Sequence, residues 1–265
     1  MIGLGWLGRP LATELLRRGY RVMGSTTTPE KQTQLRAEGI ETHLLALNPQ
    51  PEGDLEALLQ TDILVVNIPP KAGKIGDDHH PAQMQHLAGA VSKSAIRWVI
   101  YVSSTSVYPE LNRIMTEIDV QTPDQSAAPA LVQAEQIWLT RQTPNFRATI
   151  LRCGGLMGYD RQVGKYVAGR TVDSGAVPVN YIHRDDAVNL ICAVIANRLT
   201  GVFNVVAPLH PSRAEVYRNS CQKHGYALPT FVEPVEQVPF KIVSSLKLTE
   251  QTGYVFKYAD PLQFP

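Results

Sequence analysis

The sequence has no excess of charge of either sign: 25 Lys and Arg stand against 24 Asp and Glu, leaving +1. No dense basic patch or polybasic run occurs, which removes the electrostatic footprint of a nucleic-acid binder or of a protein held on an anionic membrane. Long apolar runs are lacking too. None approaches the roughly 20 residues of a bilayer span, and the opening residues have neither the charged start nor the apolar stretch of a secretory signal. Cysteine is confined to Cys153, Cys192 and Cys221, odd in number and widely spaced. A disulfide framework or a zinc site is therefore not expected, and a reducing, cytoplasmic setting is. What is present, 265 residues at 44% hydrophobic and 18% charged content, suffices for one large α/β domain or a main domain with a smaller lobe.

Against this plain background stands Gly3-Leu4-Gly5-Trp6-Leu7-Gly8. It lies between an apolar start, Met1 and Ile2, and a helical run from Arg9 to Arg18 that ends at Gly19; a second apolar strand, Tyr20 to Gly24, follows. This is G-x-G-x-x-G in its required context of strand, turn, helix and strand. Gly3 permits the sharp turn, Gly5 removes a side chain that would block a pyrophosphate, and Gly8 allows close packing of helix on strand. The backbone N–H groups around Trp6 and Leu7, with the positive end of the helix dipole, then face a diphosphate. Pro10 is harmless near the helix start, where N–H groups have no partner inside the helix. Only two residues precede Gly3, so either the first strand is very short or the chain begins upstream of Met1.

After the second strand comes Ser25-Thr26-Thr27-Thr28-Pro29-Glu30-Lys31. A site for NAD places an acid at this strand tip to hold the ribose hydroxyls. Here hydroxyl residues fill the place and Glu30 comes too late. Ser25, Thr26 and Thr27 with Lys31 suit a 2′-phosphate, so NADP is the expected cofactor, with NAD the other candidate. Thr28 and Pro29 also read simply as a helix cap and first helical residue. Ile40 to Leu47 reads as a strand and Asp54 to Gln60 as a short helix. Asp62 to Ile68 is a continuous apolar run, as in a strand buried on both faces. At its carboxyl end, where a cofactor crosses an α/β sheet, Asn67, Ile68 and Pro69 are candidate wall residues.

Lys71 to Pro81 reads as a solvated loop. Its Asp77-Asp78-His79-His80 run has metal-ligand residue types but consecutive spacing, so no metal is expected. A helix from Ala82 to Lys93 and a strand from Arg97 to Ser103 follow. That strand runs into Ser103-Ser104-Thr105-Ser106-Val107-Tyr108-Pro109, which puts hydroxyls where α/β sheets carry their active sites; a polar turn bonded to its own backbone is the other reading.

With these segments together, the chain resembles the extended short-chain dehydrogenase/reductase superfamily of the NAD-dependent epimerase/dehydratase type, and within it the atypical members opening with Gly-x-Gly-Trp-Leu-Gly. Tyr101 to Tyr108 is similar to that family's Ser/Thr-bearing strand end, and Leu151 to Gly158 to its sixth strand and following loop. Tyr181-Ile182-His183-Arg184-Asp185-Asp186 is similar to the start of its late helix, and Gly253-Tyr254 with Phe256 and Tyr258 to its closing motif. The resemblance implies a Rossmann doubly wound parallel sheet with a small C-terminal substrate lobe. Residues 1–155, completed by 182–206, would form the dinucleotide-binding domain, and 157–181 with 207–265 the lobe. It places Ser103, Cys153 and Gly154 beside the cofactor and makes Ser104, Thr105 and Tyr108 the catalytic candidates. Cys153 also reads as a small core hydrophobe.

One departure matters. The family's Tyr-x-x-x-Lys pair should fall at Ala127 and Leu131, counted back from Ala134-Glu135, and neither can move a proton. Tyr159 and His183 are further groups able to approach the same space, although His183 reads first as a local hydrogen-bonding residue at a helix entrance. Asp186 reads as a first-turn support of that helix, and Arg161, Lys165 and Arg170 either meet an anion or are surface charge. Three functions follow: an NADP-preferring oxidoreductase or epimerase/dehydratase-like enzyme acting on a small carbonyl, alcohol or sugar-like substrate; an NADP-binding or redox-sensing protein without turnover; or a β-hydroxyacid dehydrogenase, which needs a long all-helical second domain. The expected partner is a small molecule, with no nucleic acid and no membrane, and nothing excludes a homodimer.

Overall fold

The computed structural model describes residues 1–70 and 76–265. Residues 1–4 lead into α1 (Gly8–Arg17), β1 (Met23–Thr26), α2 (Pro29–Ala37), β2 (Glu41–Leu47), β3 (Pro51–Gly53), α3 (Leu55–Leu58) and β4 (Ile63–Val66). Then come α4 (His79–Val91), β5 (Trp98–Ser104), β6 (Arg113–Met115), α5 (Pro129–Leu139), β7 (Arg147–Cys153), β8 (Gly155–Met157), α6 (Val163–Val167) and β9 (Thr171–Val172). The chain closes with β10 (Tyr181–His183), α7 (Arg184–Ala196), β11 (Gly201–Val205), α8 (Arg213–His224), β12 (Thr230–Phe231), β13 (Lys241–Val243) and α9 (Leu246–Thr252).

The opening residues are a strand reduced to a few links. Ile2 N–H donates to the Val65 carbonyl at 2.8 Å and its own carbonyl accepts from Asn67 at 2.9 Å, while Leu4 donates to Ser25 at 2.8 Å. This thread joins β1–β2 to the row β4-β5-β7-β11, and the pairings of β1 with β2, β4 with β5, β5 with β7 and β7 with β11 are all parallel. The chain is therefore α/β, with a Rossmann-like parallel sheet in which the strand order reverses beside the opening segment; ligands of such sheets bind at that reversal.

Helices cover both faces. On one, Leu11 and Leu15 of α1 and Leu190, Ile191 and Val194 of α7 meet Val65, Ile100, Leu151 and Phe203 of the sheet. On the other, Met84 and Leu87 of α4 and Ala134 and Trp138 of α5 meet Leu64, Val99, Tyr101 and Ile150. The apolar stripe expected on Ala187, Val188, Leu190, Ile191, Val194 and Ile195 is buried throughout. At the carboxyl edge, β8 pairs with β10, β9 with β12 and β6 with β13, and α6 packs on α8. The late segment is tied down by Asp186, fully buried, which accepts from Tyr254 Oη at 2.7 Å and from the N–H groups of Lys257 and Tyr258 at 2.8 and 3.0 Å. Asp186 thus anchors the Tyr254–Tyr258 segment as well as opening α7.

Two expectations need correction. β1 starts at Met23, not Tyr20, because Gly19 and Tyr20 N–H groups still bond back to Leu16 and Leu15 and finish α1. The stretch read as a solvated loop enters α4 at His79, with Pro81 tolerated in the first turn. His80 is buried there, Nε2 2.6 Å from Tyr101 Oη and Nδ1 3.0 Å from Gln83 Oε1; residues 71–75 of that loop lie outside the described ones. Among the described residues there is no group of three or more metal-ligating side chains, no helix long and apolar enough to cross a membrane, and no long all-helical second domain.

Candidate functional site

The opening turn divides its glycines by what surrounds them. Gly3 has φ +99°, and a Cβ on it would run into the Asn67 carbonyl. A Cβ on Gly8 would run into the Gly3 carbonyl, with Asn67 Nδ2 at 3.0 Å. A Cβ on Gly5 would meet nothing within 4 Å. Two of the three glycines are needed by the protein's own packing, and the third leaves open space in front of the α1 N-terminus. No side chain caps that helix; Arg9 N–H is taken by the Gly5 carbonyl at 3.0 Å and Pro10 has none, so the N–H groups of Trp6, Leu7 and Gly8, with the dipole, face an anion. The turn is braced from behind: Ser25 Oγ accepts from Gly3 N–H at 3.1 Å, and Asn67 Nδ2 donates to the Gly3 carbonyl at 3.2 Å. Both residues expected to touch a cofactor thus also shape the loop that would hold it.

Two cavities meet at Gly5 and Trp6. The larger, about 730 Å³, is walled by Arg9, Pro10 and Thr13 of α1, Lys31 and Gln34 of α2, and Asp160 and Arg184. The smaller, about 350 Å³, is walled by Leu7, Asn67 to Pro70, Tyr101 to Ser104, Leu131, Leu156 and Arg161. Between them Trp6 is held in place: its Nε1 donates to Asp160 Oδ1 at 2.6 Å, and the guanidinium carbons of Arg161 and Arg184 lie 4.3 and 4.8 Å from its ring centroid. Arg184 also stacks on Tyr159 at 3.8 Å, and Tyr159 Oη donates to Asp185 Oδ1 at 2.8 Å.

The expected hydroxyls separate. Ser104 reaches the smaller cavity; its Oγ accepts from Ser106 N–H at 3.1 Å and from Ser106 Oγ at 3.0 Å, which leaves its own O–H free to donate. Ser103 Oγ is turned to Glu135 Oε1 at 2.6 Å, and Thr105 is buried. Tyr108 is fully buried away from both cavities. Its hydroxyl donates to Asn204 Oδ1 at 2.7 Å and accepts from Arg152 Nη1 at 3.0 Å, and burial pushes the phenol up to about 12. This is a packing group in place of the proton donor expected of it. At the strand tip Thr26 is buried and Thr27 exposed, while Lys31 reaches the larger cavity; Thr28 starts α2 with no side-chain cap bond. Gly154 is buried against the Asn180 carbonyl. His183 Nδ1 accepts from Asp185 N–H at 3.2 Å, the local capping role.

Cys153 lies in the core and burial pushes its thiol up to about 12, that of Cys192 to about 11. Cys221 is buried as well. All three thiols are expected to react with Ellman's reagent on the order of a hundredfold more slowly than free cysteine and to become reactive together in denaturant. Rapid modification of one native thiol would contradict the placement of that cysteine.

A family model described as NAD(P)H-binding matches residues 3–198. The chain belongs to this NAD(P)H-binding family. Protein YeeZ of Escherichia coli K12 is 32% identical over 269 residues, covering all of this chain and 97% of that one. A conserved protein of unknown function from Silicibacter pomeroyi superposes with a TM-score of 0.75 at 25% identity, covering 98% and 94%. UDP-glucuronic acid 4-epimerase from Bacillus cereus, solved with UDP-glucuronic acid and NAD, superposes with a TM-score of 0.76 at 18% identity, covering 99% and 96%. The fold is that of the epimerases.

For this member of the NAD(P)H-binding family, the side chains that sequence reasoning missed include Asp160 and Arg184. Trp6 and Asp160 are 154 positions apart, and no local pattern announces that pairing. The signal that could have led to it is the indole N–H of a tryptophan inside a glycine turn, a donor in need of a partner. Ala127 is exposed and Leu131 lines the smaller cavity, so neither position brings an ionisable group to it.

Proposed function

We propose that this chain binds NADP(H) in preference to NAD(H) and transfers hydride with a small carbonyl or alcohol whose oxygen sits on Ser104. Residues 1–155 and 182–206 would bind the dinucleotide, with 157–181 and 207–265 as the substrate-side lobe. The observation that carries the reading is the open space at Gly5 in front of an uncapped helix, adjoining a cavity with the free Ser104 O–H on its wall. Gly3, Gly5, Gly8, Trp6 and Leu7 would hold the diphosphate, Asn67, Ile68 and Pro69 the adenosine side, and Thr26, Thr27 and Lys31 the 2′-phosphate. When bound, the nicotinamide supplies or takes the hydride. Ser104 donates its proton to the substrate oxygen as that oxygen gains charge, Ser106 returns a proton to Ser104, and solvent restores exposed Ser106. Tyr108 has no part in this set.

A second reading, dinucleotide binding without turnover, is favoured by the smaller cavity's lining. Tyr101 and Arg161 are its ionisable groups among the described residues, and the Tyr101 hydroxyl is already engaged by His80. Titration with NADPH and NADH followed by a carbonyl and alcohol panel at 340 nm separates the readings. Turnover that falls about a hundredfold in Ser104→Ala, with NADPH affinity unchanged, supports the first; tight NADPH binding with no turnover on any member supports the second. Lys31→Ala is expected to weaken NADPH about tenfold, roughly 1.4 kcal/mol, and to leave NADH unchanged. Equal losses for both nucleotides would refute the assignment of the 2′-phosphate to Lys31.

A further inference from the structure

Beside the walls assigned to the cofactor, the smaller cavity is lined by Val102, Leu131 and Leu156, by the Ser104 hydroxyl and, among the described residues, by a single cation, Arg161. That guanidinium is half-buried and lies 4.3 Å from the centroid of Trp6. Among the described residues it makes no ion pair within 4.0 Å and no side-chain hydrogen bond. By contrast, Arg9 is paired to Glu38 at 2.8 Å and Arg152 to Glu135 at 2.7 Å. Stacking fixes the plane of a guanidinium while leaving its forked N–H groups unused, and that fork matches a carboxylate with two parallel bonds. No nitrogen of Arg161 is a buried unpaired donor, so the fork is reachable from the cavity and able to take an anion arriving from outside. Arg184, on the same indole, lines the other cavity together with Lys31 and Arg9, so the two arginines divide between the two spaces.

From this arrangement we infer that the substrate is a small carboxylate-bearing carbonyl compound, its acid group held by Arg161 and its carbonyl oxygen by Ser104. The inference rests on the hydride-transfer reading above and names its substrate class. Trp6 is then a positioning residue: Asp160 orients the indole and the indole orients the guanidinium. A carboxylate at Arg161 gains charge-assisted bonds that a neutral carbonyl of equal size does not form.

The test uses the full chain saturated with NADPH and calorimetric titration with oxamate, an inert anionic analogue, against neutral methyl pyruvate. Oxamate is expected to bind at least tenfold more tightly than methyl pyruvate. Arg161→Met should remove that preference, and Arg161→Lys should retain part of it. NADPH affinity should stay within about twofold in both variants, which also confirms that each is folded. Equal binding of the two probes to the native chain overturns the inference. So does an Arg161→Met variant that loses NADPH as strongly as oxamate, since its guanidinium would then serve the cofactor's phosphates. Failure of the native chain to bind NADPH is a separate result and refutes the cofactor reading itself.

Discussion

Gly5→Ala is expected to abolish dinucleotide binding while leaving the fold intact, and Gly8→Ala to damage both. The contrast follows from where a Cβ would go. At Gly5 it meets nothing within 4 Å, so the apo protein loses no packing, and its melting temperature should shift by no more than about 2 °C, under 1 kcal/mol for a chain of this size. The methyl would instead stand in the space that a diphosphate needs to reach the α1 amides. NADPH affinity should fall at least about a hundredfold, roughly 2.7 kcal/mol. At Gly8 the Cβ meets the Gly3 carbonyl, which accepts from Asn67 Nδ2 while the same residue's N–H is held by Ser25, so α1 must move off the sheet. Such overpacking costs about 1–3 kcal/mol or more, in addition to the lost binding. Thermal melts with and without NADPH, run beside calorimetric titration, check both variants. A Gly5→Ala protein that binds NADPH normally would mean the diphosphate lies elsewhere.

The second large effect belongs to Glu135. Its carboxylate accepts from Arg152 Nη2 at 2.7 Å and Nε at 3.1 Å and from Ser103 Oγ at 2.6 Å, all inside the protein. Arg152 also donates to Tyr108 Oη at 3.0 Å and to the Val120 carbonyl at 2.8 Å. Glu135→Ala would leave a buried guanidinium with no counter-charge, and breaking a buried pair from one side costs about 3–5 kcal/mol. That corresponds to a fall on the order of 10 °C in melting temperature. Arg152→Met together with Glu135→Leu should recover part of the loss, since the uncompensated charge is gone, although Ser103 and Tyr108 keep unmatched groups. The destabilisation should change little between low and high salt, because a buried pair is weakly screened. A Glu135→Ala protein that melts within about 3 °C of the native one, under ~1 kcal/mol, would show the pair to be dispensable. This network ties β5, which ends in Ser104, to α5, which carries Leu131, so its loss should also loosen the wall of the smaller cavity.

Much of the scaffold could be read from the chain. The alternation of apolar runs with amphipathic ones announced a parallel sheet wrapped on both faces, and the stripe from Ala187 to Ile195 is buried as its spacing requires. Gly3, Gly5 and Gly8 stood out because a glycine turn is a local object. Other features were illegible for a definite reason. His80 looked like part of a solvated run of acids and histidines, and only the approach of Tyr101 from β5 buries it. Tyr108 belonged by position to an active-site strand end, and only Arg152 and Asn204, from two further strands, reveal that its hydroxyl is enclosed.

The sequence by itself determined the sheet, the turn that opens it and the lack of an ionisable side chain at positions 127 and 131, because each depends on residues close together in the chain. The tertiary structure decided which hydroxyl faces a cavity and which is sealed, and it set Arg161, Asp160 and Arg184 around Trp6. Those outcomes depend on contacts between segments far apart in the chain, whose energies are settled by burial and by the partners that folding brings to each polar group.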